Sequence, residues 1–177
     1  QALEWFTLEG IGKAAARFDF DKLESLNAHY INACDDERLI ELAKPFFQSE
    51  HELKVTDTSK ERLLASMEEL KSRAKTLIDF ANDSAFYLKA VPFIYEEKAS
   101  SMIDEAKTSI LPALRDAFDA LEDFSGSAIQ QLCKDVAASH ADGKMGKVGM
   151  PLRAAITGTT SSPSIFDACA ILGKEET

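Results

Sequence analysis

The feature that most constrains the fold of this chain is the spacing of its apolar residues, which recur at intervals of three and four. Such spacing places apolar side chains on one face of an α-helix. The sequence shows no sustained alternation of apolar and polar residues, as strands require, and no internal repeat. We therefore predict an all-α fold. The pattern is clearest in residues 23–30, 39–46, 63–78, 99–121, 129–136, 148–156 and 165–172.

Local signals predict how the segments between residues 58 and 100 are arranged. Thr58-Ser59-Lys60-Glu61 has the form of a capping box, so we expect a helix to start there and to run through Ile78. The following stretch, "FANDSAFYLKAVPFIYEEKAS", is rich in aromatic residues and is interrupted by Pro92. We predict that this stretch is a loop with short turns.

Proline, serine and glycine predict further helix ends. Pro45 is expected to bend or end its helix, and Pro112 to split residues 99–121 into two helices, because an interior proline costs roughly 3 kcal/mol. Ser125 or Ser127 is expected to cap the next helix. Gly158 is expected to stop the helix that contains residues 148–156. A break in the pattern near residues 86–99 divides the chain into two consecutive helical bundle subdomains.

The composition limits the compartment and the partners. The 177 residues carry a formal net charge of −10, which argues against nucleic-acid binding over the whole surface. No apolar run approaches the ~20 residues of a bilayer span, and we expect neither a signal peptide nor a membrane partner. Cys34, Cys133 and Cys169 form no CxxC pair, which favours free thiols in a reducing, cytoplasmic environment. The start at Gln1 indicates a piece of a longer protein.

No arrangement of residues predicts catalysis. The sequence has no GxxxxGK[ST], GxSxG, HExxH or GxGxxG motif, and its histidines, His29, His51 and His140, are scattered. Cys133 and His140 lack the second ligand pair that a zinc site needs. We expect no catalytic residue, no metal and no cofactor in this chain, and we interpret it as a binding module.

Three segments carry basic residues without acids, in a chain that is otherwise acidic. They are residues 10–18, residues 70–78 and the long stretch 143–166, which has no Asp or Glu. Lys71 and Lys75 in the second segment are four residues apart, so we expect them to share a helix face, and a solvated face explains them equally well. The third segment contains Lys144, Lys147 and Arg153.

The 143–166 stretch has the chemistry that recognises unpaired RNA. The guanidinium of Arg153 is flat and always charged, and we expect it to be accessible and unpaired with acid. Pro163, Ile165 and Phe166 are expected to offer apolar surface beside it, while the hydroxyl groups between residues 157 and 162 bind base edges or phosphates. A plain helix–turn–helix corner explains the same residues, and their spacing alone leaves both interpretations open.

Three segments together resemble bacterial glutamyl-tRNA synthetases. "GKVGMPLRAAITGTTSSPSIFDACAILGKE", from residue 146 to 175, is similar to the C-terminal signature of that family. "ARFDFDKLESLNAHYI", residues 16–31, resembles the passage from the stem-contact region into the anticodon-binding part. "KSRAKTLIDFA", residues 71–81, resembles a basic helix between them. The three segments bracket almost the whole chain, in the order and at the spacing of the family.

The resemblance implies the function and the domain organisation. Family members join glutamate to its tRNA with ATP and Mg in a class I Rossmann catalytic domain, whose HIGH-type and KMSKS-type motifs are not found in this sequence. This chain then corresponds to the anticodon-binding part, a monomer whose partners are the anticodon arm of tRNA(Glu) and the parent's catalytic domain. Residues 1–30 end the stem-contact region, and residues 31–95 and 96–177 form two anticodon-binding subdomains.

The resemblance also implies RNA-binding residues. Arg153 stands at the arginine of the family's PLR, and Ser162, Pro163 and Ile165 occupy the turn around the last anticodon base. Arg73 matches an arginine that monitors the first anticodon base. Lys22 and Asn27 stand near the inner corner of the tRNA, where domain packing is the alternative role, and Lys147 adds a cation beside Arg153. Ser164 replaces the usual glycine, so its side chain is expected to crowd the turn.

Two other functions fit a helical chain of this composition. A protein–protein interaction module would use the aromatic residues Phe86, Tyr87, Phe93 and Tyr95. A helical bundle that holds a small ligand would need a closed pocket with convergent polar groups, and the sequence offers no clustered set. Binding to RNA should weaken steeply with salt, whereas docking through aromatic residues should not.

Overall fold

The computed structural model of the chain describes residues 17–89 and 94–177. In these ranges the regular structure consists of ten α-helices and one 3-10 helix, without a strand. The prediction of an all-α fold is confirmed. None of the described helices combines the length and the apolar character that a bilayer span requires.

The helices follow one another with short connections. In chain order they are α1 (Phe20–Ala33), α2 (Asp36–His51), α3 (Asp57–Ala65), α4 (Met67–Arg73), α5 (Leu77–Ser84), the 3-10 helix (Ala85–Tyr87), α6 (Glu97–Ala106), α7 (Ile110–Ala120), α8 (Gly126–His140), α9 (Gly146–Thr157) and α10 (Ile165–Leu172). Short polar side chains cap several of them, among them Asp19, Asp35, Thr56, Thr76, Ser125 and Ser164. The capping role of Ser125 is as predicted.

The predicted capping box is wrong by two residues. Thr56 has an extended backbone and its Oγ1 accepts a hydrogen bond from the Ser59 amide at 3.2 Å, while the Ser59 hydroxyl returns a contact to the Thr56 amide. The helix therefore starts at Asp57, and Thr58 already lies inside it. Thr56, two residues before Thr58, is the N-cap, and Ser59 at the third helical position completes the capping box with it.

The single helix predicted to run through Ile78 is also wrong, because the chain breaks it twice. The Ser66 hydroxyl donates to the carbonyls of Arg62 and Leu63, and α3 ends there. The second break follows Arg73, where the Thr76 side chain caps α5. Side-chain hydrogen bonds of this kind compete with helix continuation. Lys75 lies in the second break, so Lys71 and Lys75 do not share a helix face.

The predicted loop over residues 80–100 is wrong at both ends. Its first residues complete α5 and the 3-10 helix, and its last residues begin α6. Phe86 is 4% exposed and Tyr87 is 1% exposed, so burial of two large aromatic rings stabilises this compact conformation. Because both rings are buried, they are not available to the aromatic docking surface considered from the sequence. Phe93 lies outside the described residues.

The prolines behave differently from one another. Pro112 lies in the first turn of α7, and α6 and α7 are separate helices as predicted, with the break at residues 107–109. An amide is not needed in a first turn, so proline is tolerated there. Pro45 does not end its helix, since α2 continues to His51. Gly158 stops α9 as predicted, with a left-handed backbone at φ 76°.

The helices pack in two groups around a shared core. In the first group α2 packs on α3 and α5, and α4 packs on α1 and α5. In the second group α9 contacts α6, α7, α8 and α10. Contacts between α3 and α10 join the groups, and one cluster of buried side chains runs through both, from Phe47 and Leu63 to Val148 and Ile165. The division of the chain at residues 30 and 95 stays a prediction.

In the part of the chain that the structure describes, helix α1 has an apolar face that the other helices leave exposed. About half or more of each of five large side chains on or next to this helix is exposed: Phe18, Phe20, Leu23, Leu26 and Tyr30. Such a contiguous set is unusual on the surface of an isolated domain and is typical of a contact surface.

A pair of glycine substitutions tests the backbone of α9. Gly158→Ala should lower the free energy of unfolding by about 1 kcal/mol, because an L-residue is strained at positive φ. Gly149→Ala, inside the same helix and with no atom within 4 Å of an added Cβ, should raise it by about 0.5–1 kcal/mol. Urea unfolding followed by circular dichroism measures both, and a neutral Gly158→Ala would contradict the assigned helix end.

Candidate nucleic-acid interface

Arg153 lies at the rim of the buried face of α9. Val148, Leu152 and Ile156, four residues apart along the helix, point into the core. Arg153 follows Leu152 and is therefore turned toward the edge of that face, where its side chain is half-buried. Burial lowers the pKa of Arg153, yet an arginine keeps its charge under any physiological condition.

The Arg153 guanidinium holds the chain segment that follows α9. Its Nη1 donates to the carbonyl oxygen of Ser162 at 2.6 Å, to the Ser162 hydroxyl at 2.6 Å and to the carbonyl oxygen of Pro163 at 3.0 Å. Within the described ranges these are all the hydrogen bonds of the Arg153 side chain, so Nε and Nη2 remain able to donate elsewhere. Among the described residues, Arg153 forms no ion pair with an acid, and its hydrogen-bond partners are neutral oxygens.

Residues 158–164, called the 158–164 turn below, connect α9 to α10. The turn starts at Gly158, whose amide donates to Ala154 at 3.0 Å, and is braced by the Thr157 hydroxyl, which donates to the Arg153 carbonyl at 2.8 Å. At its tip the Thr159 hydroxyl donates to the Ser161 carbonyl at 2.6 Å. Thr159 and Thr160 are half-buried and Ser161 is exposed, so the outer edge of the turn is polar and accessible.

The inner side of the turn differs from the expectation of exposed apolar surface. Pro163 is buried and Ile165 is 2% exposed, and only Phe166 remains half-buried. The first turn of α10 directs Ile165 into the core, where it joins the main hydrophobic cluster. In this structure Pro163 and Ile165 therefore shape the turn and do not present a surface on which a base could stack.

Ser164 does not crowd the turn, contrary to the expectation from the sequence. Its hydroxyl accepts a hydrogen bond from the Asp167 amide at 3.4 Å and so caps α10. Its backbone lies at φ −49° and ψ 116°, a conformation that does not require glycine. The serine is therefore compatible with the turn.

The structure brings Arg73 close enough to Arg153 for their charges to interact. The positive charge of Arg73 contributes to lowering the pKa of Arg153, after burial, and the negative charge of Glu69 opposes it. Arg73 is the last residue of α4, and its Nε donates to Asp83 of α5 at 3.0 Å. Glu69 lies one helical turn before Arg73, and its Oε1 accepts a hydrogen bond from the Ser164 amide at 2.5 Å. The site therefore combines residues from both helical groups.

A cleft of 440 Å³ opens beside the turn. Hydroxyl-bearing residues of the second group, Thr157 and 159–161, form part of its lining, and residues of the first group complete it: His51, Asn82, Asp83, Ala85, Phe86 and Lys89, together with Ile94, Glu96 and Gly158. The His51 Nε2 and the Asn82 Oδ1 are 2.9 Å apart. The lining thus offers amide, hydroxyl, imidazole and ammonium groups together with the carboxylates of Asp83 and Glu96, and donors and acceptors of this kind suit the edges of a nucleotide base.

Three of the other predicted residues lie away from this turn. Lys22 and Lys147 are exposed, and in the described part of the chain neither side chain forms a hydrogen bond or an ion pair with the turn. Asn27 donates from Nδ2 to the carbonyl of Lys75 at 2.5 Å and so joins α1 to the break after α4. This contact is the packing role that the sequence left open for Asn27.

The basic segment 70–78 is neutralised by acids from other helices. Lys71 is only 12% exposed and binds Asp36 and the carbonyl of Cys34. Lys75 pairs with Glu24 at 3.0 Å, as Arg73 does with Asp83. Segment 70–78 has no acids in the sequence, but in the fold its basic side chains are paired with acids from other helices. Lys71 is therefore unavailable to a ligand.

Two of the three thiols, those of Cys133 and Cys169, are buried and poorly suited to act as nucleophiles. Burial raises the pKa of Cys133 to about 11 and that of Cys169 to about 12, so both stay protonated at neutral pH. No group of three or more His, Cys, Asp or Glu side chains suited to a metal ion occurs among residues 17–89 and 94–177.

Glu69, Asp83, Asn82 and Lys89 belong to this site, and sequence reasoning missed all four. Glu69 contacts Ser164, 95 residues away, Asn82 contacts His51, 31 residues away, and Asp83 contacts Arg73 across the break between two helices, while Lys89 lines the cleft. The spacing of Glu69 and Arg73, four residues apart on one helix, is the one signal that could have drawn attention to a charged pair at this position.

Comparison with known proteins gives consistent matches. The family profile described as "Anticodon binding domain" matches residues 38–177. Proteins named glutamate–tRNA ligase 2 from Zymomonas mobilis and Rhizorhabdus wittichii are 43% and 41% identical over 99% of the chain, which covers 36% and 37% of those proteins. A crystal structure of a glutamate tRNA ligase from Elizabethkingia meningosepticum superposes with a TM-score of 0.70 at 31% identity, over 97% of this chain and 33% of that one. The chain thus spans little more than a third of the relatives it matches.

Replacing Arg153 tests, without RNA, whether its hydrogen bonds to the 158–164 turn stabilise the fold. Arg153→Met keeps the length of the side chain but removes the donor to Ser162 and Pro163, so the free energy of unfolding should fall by about 1–3 kcal/mol. The matched control Lys147→Met, on the exposed side of the same helix, should change it by less than about 0.5 kcal/mol. Equal stability of the two variants in urea unfolding would show that the hydrogen bonds from Arg153 to Ser162 and Pro163 do not stabilise the turn.

Proposed function

We propose that this chain, which belongs to the anticodon-binding domain family, binds the anticodon arm of tRNA(Glu) within a glutamate–tRNA ligase. The family match and the relatives named glutamate–tRNA ligase support this proposal and confirm the resemblance inferred from the sequence. Membership of an anticodon-binding family implies tRNA binding. The identity of the tRNA, the activity of the longer protein and the residues that contact RNA are parts of the proposal.

The observation that carries the proposal is the Arg153 guanidinium, which holds the 158–164 turn beside a hydroxyl-lined cleft. Arg73 and Arg153 come from different helical groups and lie within electrostatic range of each other. Arg73 is paired with Asp83, whereas the partners of Arg153 are a hydroxyl and two carbonyls, so the positive charge of Arg153 is open to an anionic partner such as RNA. Unpaired bases then bind to arginine planes and to polar edges, as in other single-stranded RNA sites.

We assign the roles as follows. Arg153 uses Nη1 to hold the 158–164 turn and directs Nε and Nη2 to the last anticodon base. Arg73 contacts the first base, and to do so it either leaves Asp83 or binds Asp83 and the base together. Ser162, Pro163 and Ile165 act through the shape of the turn, and the hydroxyl groups of Thr159, Thr160 and Ser161 bind base edges or phosphates. In this proposal Thr159, Thr160 and Ser161 contact the base in place of the apolar surface that the sequence predicted.

The remaining predicted residues contribute outside the turn. Lys22 and Lys147 attract the phosphate backbone through exposed ammonium groups, and their contribution should decline with salt. Asn27 acts by joining α1 to the basic end of α4. In this proposal the contacts of Lys22 and Asn27 lie toward the stem of the tRNA.

The longer protein supplies the chemistry that this chain lacks. We propose that its catalytic domain binds ATP and Mg and attaches glutamate to the tRNA, that it works as a cytoplasmic monomer, and that it docks on α1. The exposed apolar face of α1, formed by Phe18, Phe20, Leu23, Leu26 and Tyr30, is the surface that such a neighbouring domain would cover.

An anticodon stem-loop series tests the proposed function. Arg153→Ala should weaken binding of a stem-loop with a glutamate anticodon about tenfold, and should weaken binding of one with an altered last base much less, because a base contact contributes only to the matching RNA. Fluorescence anisotropy at two salt concentrations measures both affinities. Lys134→Ala, an exposed lysine on α8, is the control and should leave the discrimination unchanged.

Two results would contradict this prediction. If Arg153→Ala weakens both RNAs equally, Arg153 contacts phosphate and does not read a base. If the unmodified chain binds neither stem-loop at low salt, the proposed function is wrong.

The chain alone should be catalytically inactive. We expect neither aminoacylation of tRNA nor turnover of ATP, because we find no motif for binding ATP in the sequence. A radiolabelled glutamate transfer assay with a pure preparation checks this. Activity that remains after further purification would contradict the assignment of catalysis to another part of the longer protein.

A further inference from the structure

One peptide unit in the 158–164 turn is held from both sides by charged groups. The carbonyl of Pro163 accepts a hydrogen bond from Arg153 at 3.0 Å, and the amide of Ser164, in the same peptide unit, donates to Glu69 at 2.5 Å. The carbonyl and the amide of a trans peptide point in opposite directions. The peptide therefore lies between a cation of α9 and an anion of α4, with its dipole aligned to both.

This arrangement connects the two helical groups at the site itself. Glu69 belongs to α4 of the first group, whereas Arg153 and Ser164 belong to the second group, 84 and 95 residues away. Glu69 and Arg73 lie four residues apart on α4 and therefore on the same side of it. Glu69 thus fixes the turn relative to the helix that ends in Arg73.

We propose that Glu69 is a positioning residue for anticodon recognition, which sets the spacing of Arg73 and Arg153 by holding the Pro163–Ser164 peptide to α4. The inference rests on the proposed function and adds a residue that acts through others, without contact to the RNA. It also explains why a carboxylate lies where a polyanion is expected to bind. An acid there repels phosphate, so its presence requires a structural benefit.

The charge of Glu69 contributes in a second way. Arg73 and Arg153 repel each other, and Glu69 is the acid that opposes the effect of Arg73 on Arg153. Without Glu69 the Ser164 amide should lose its acceptor and the turn should no longer be fixed to α4. Both changes loosen the geometry between the first and the last anticodon positions.

The test separates positioning from simple electrostatics because the two predict opposite results. If Glu69 only repels phosphate, Glu69→Ala should tighten binding of matched and mismatched stem-loops alike. If it positions the turn, Glu69→Ala should reduce the discrimination between them about tenfold, as loss of a hydrogen bond to a charged group predicts. Glu69→Gln keeps an acceptor and should restore most of the discrimination.

Glu68→Ala is the matched control for these variants. Glu68 is the preceding residue on α4, carries the same charge and is exposed. It should change the affinity for both RNAs equally and leave the discrimination intact. Tighter binding of both RNAs by Glu69→Ala, with unchanged discrimination, would overturn the positioning role.

Hydrogen exchange of the Ser164 amide provides a measurement that does not involve RNA. The amide should exchange slowly in the unmodified chain and at least about tenfold faster in Glu69→Ala. Equal exchange rates would overturn the contact on which the inference rests. If the unmodified chain binds no RNA while Ser164 is protected, the proposed function is wrong and the role of Glu69 in recognition is withdrawn with it.

Discussion

The rest of the site depends on two hydrogen bonds to the Pro163–Ser164 peptide, one from Arg153 to its carbonyl and one from its amide to Glu69. They fix the segment between α9 and α10 to α4, and they join two helical groups that also meet through the packing of α3 on α10. A hydrogen bond at each end of one peptide, each with a charged partner, is stronger and more directional than apolar packing. The turn is consequently rigid on its inner side and accessible on its outer side, where Ser161 is exposed.

The charge distribution explains how an acidic chain can bind a polyanion. Most basic residues near the site are compensated inside the fold, as Lys71 is by Asp36 and Lys75 by Glu24. Arg153 differs because its partners are a hydroxyl and two carbonyls, which satisfy donors without neutralising the charge. Its positive field therefore remains for a ligand, while the acidic surface elsewhere disfavours binding of RNA at random.

Local features of the sequence were sufficient to predict much of the fold. Apolar spacing predicted the all-α class, and Ser125 and Gly158 marked helix ends correctly because a cap depends on the residue itself and its near neighbours. The break after Arg73 was missed because its cap, Thr76, lies inside a pattern that looks like one continuous helix. In the site, the residues came from a family resemblance, and the burial of Pro163 and Ile165 and the contact of Glu69 with Ser164 could not be predicted, since they depend on tertiary packing.

The most direct test of the central claim, that unpaired anticodon bases bind against the 158–164 turn, is a nuclear magnetic resonance titration. The isotope-labelled chain is mixed with an anticodon stem-loop, and the backbone amide and arginine Nε signals are followed. The account predicts that the largest changes cluster in the amides of residues 158–164 and in the side-chain signals of Arg73 and Arg153. Changes centred on the α7–α8 surface, with the turn and both arginines unaffected, would contradict it.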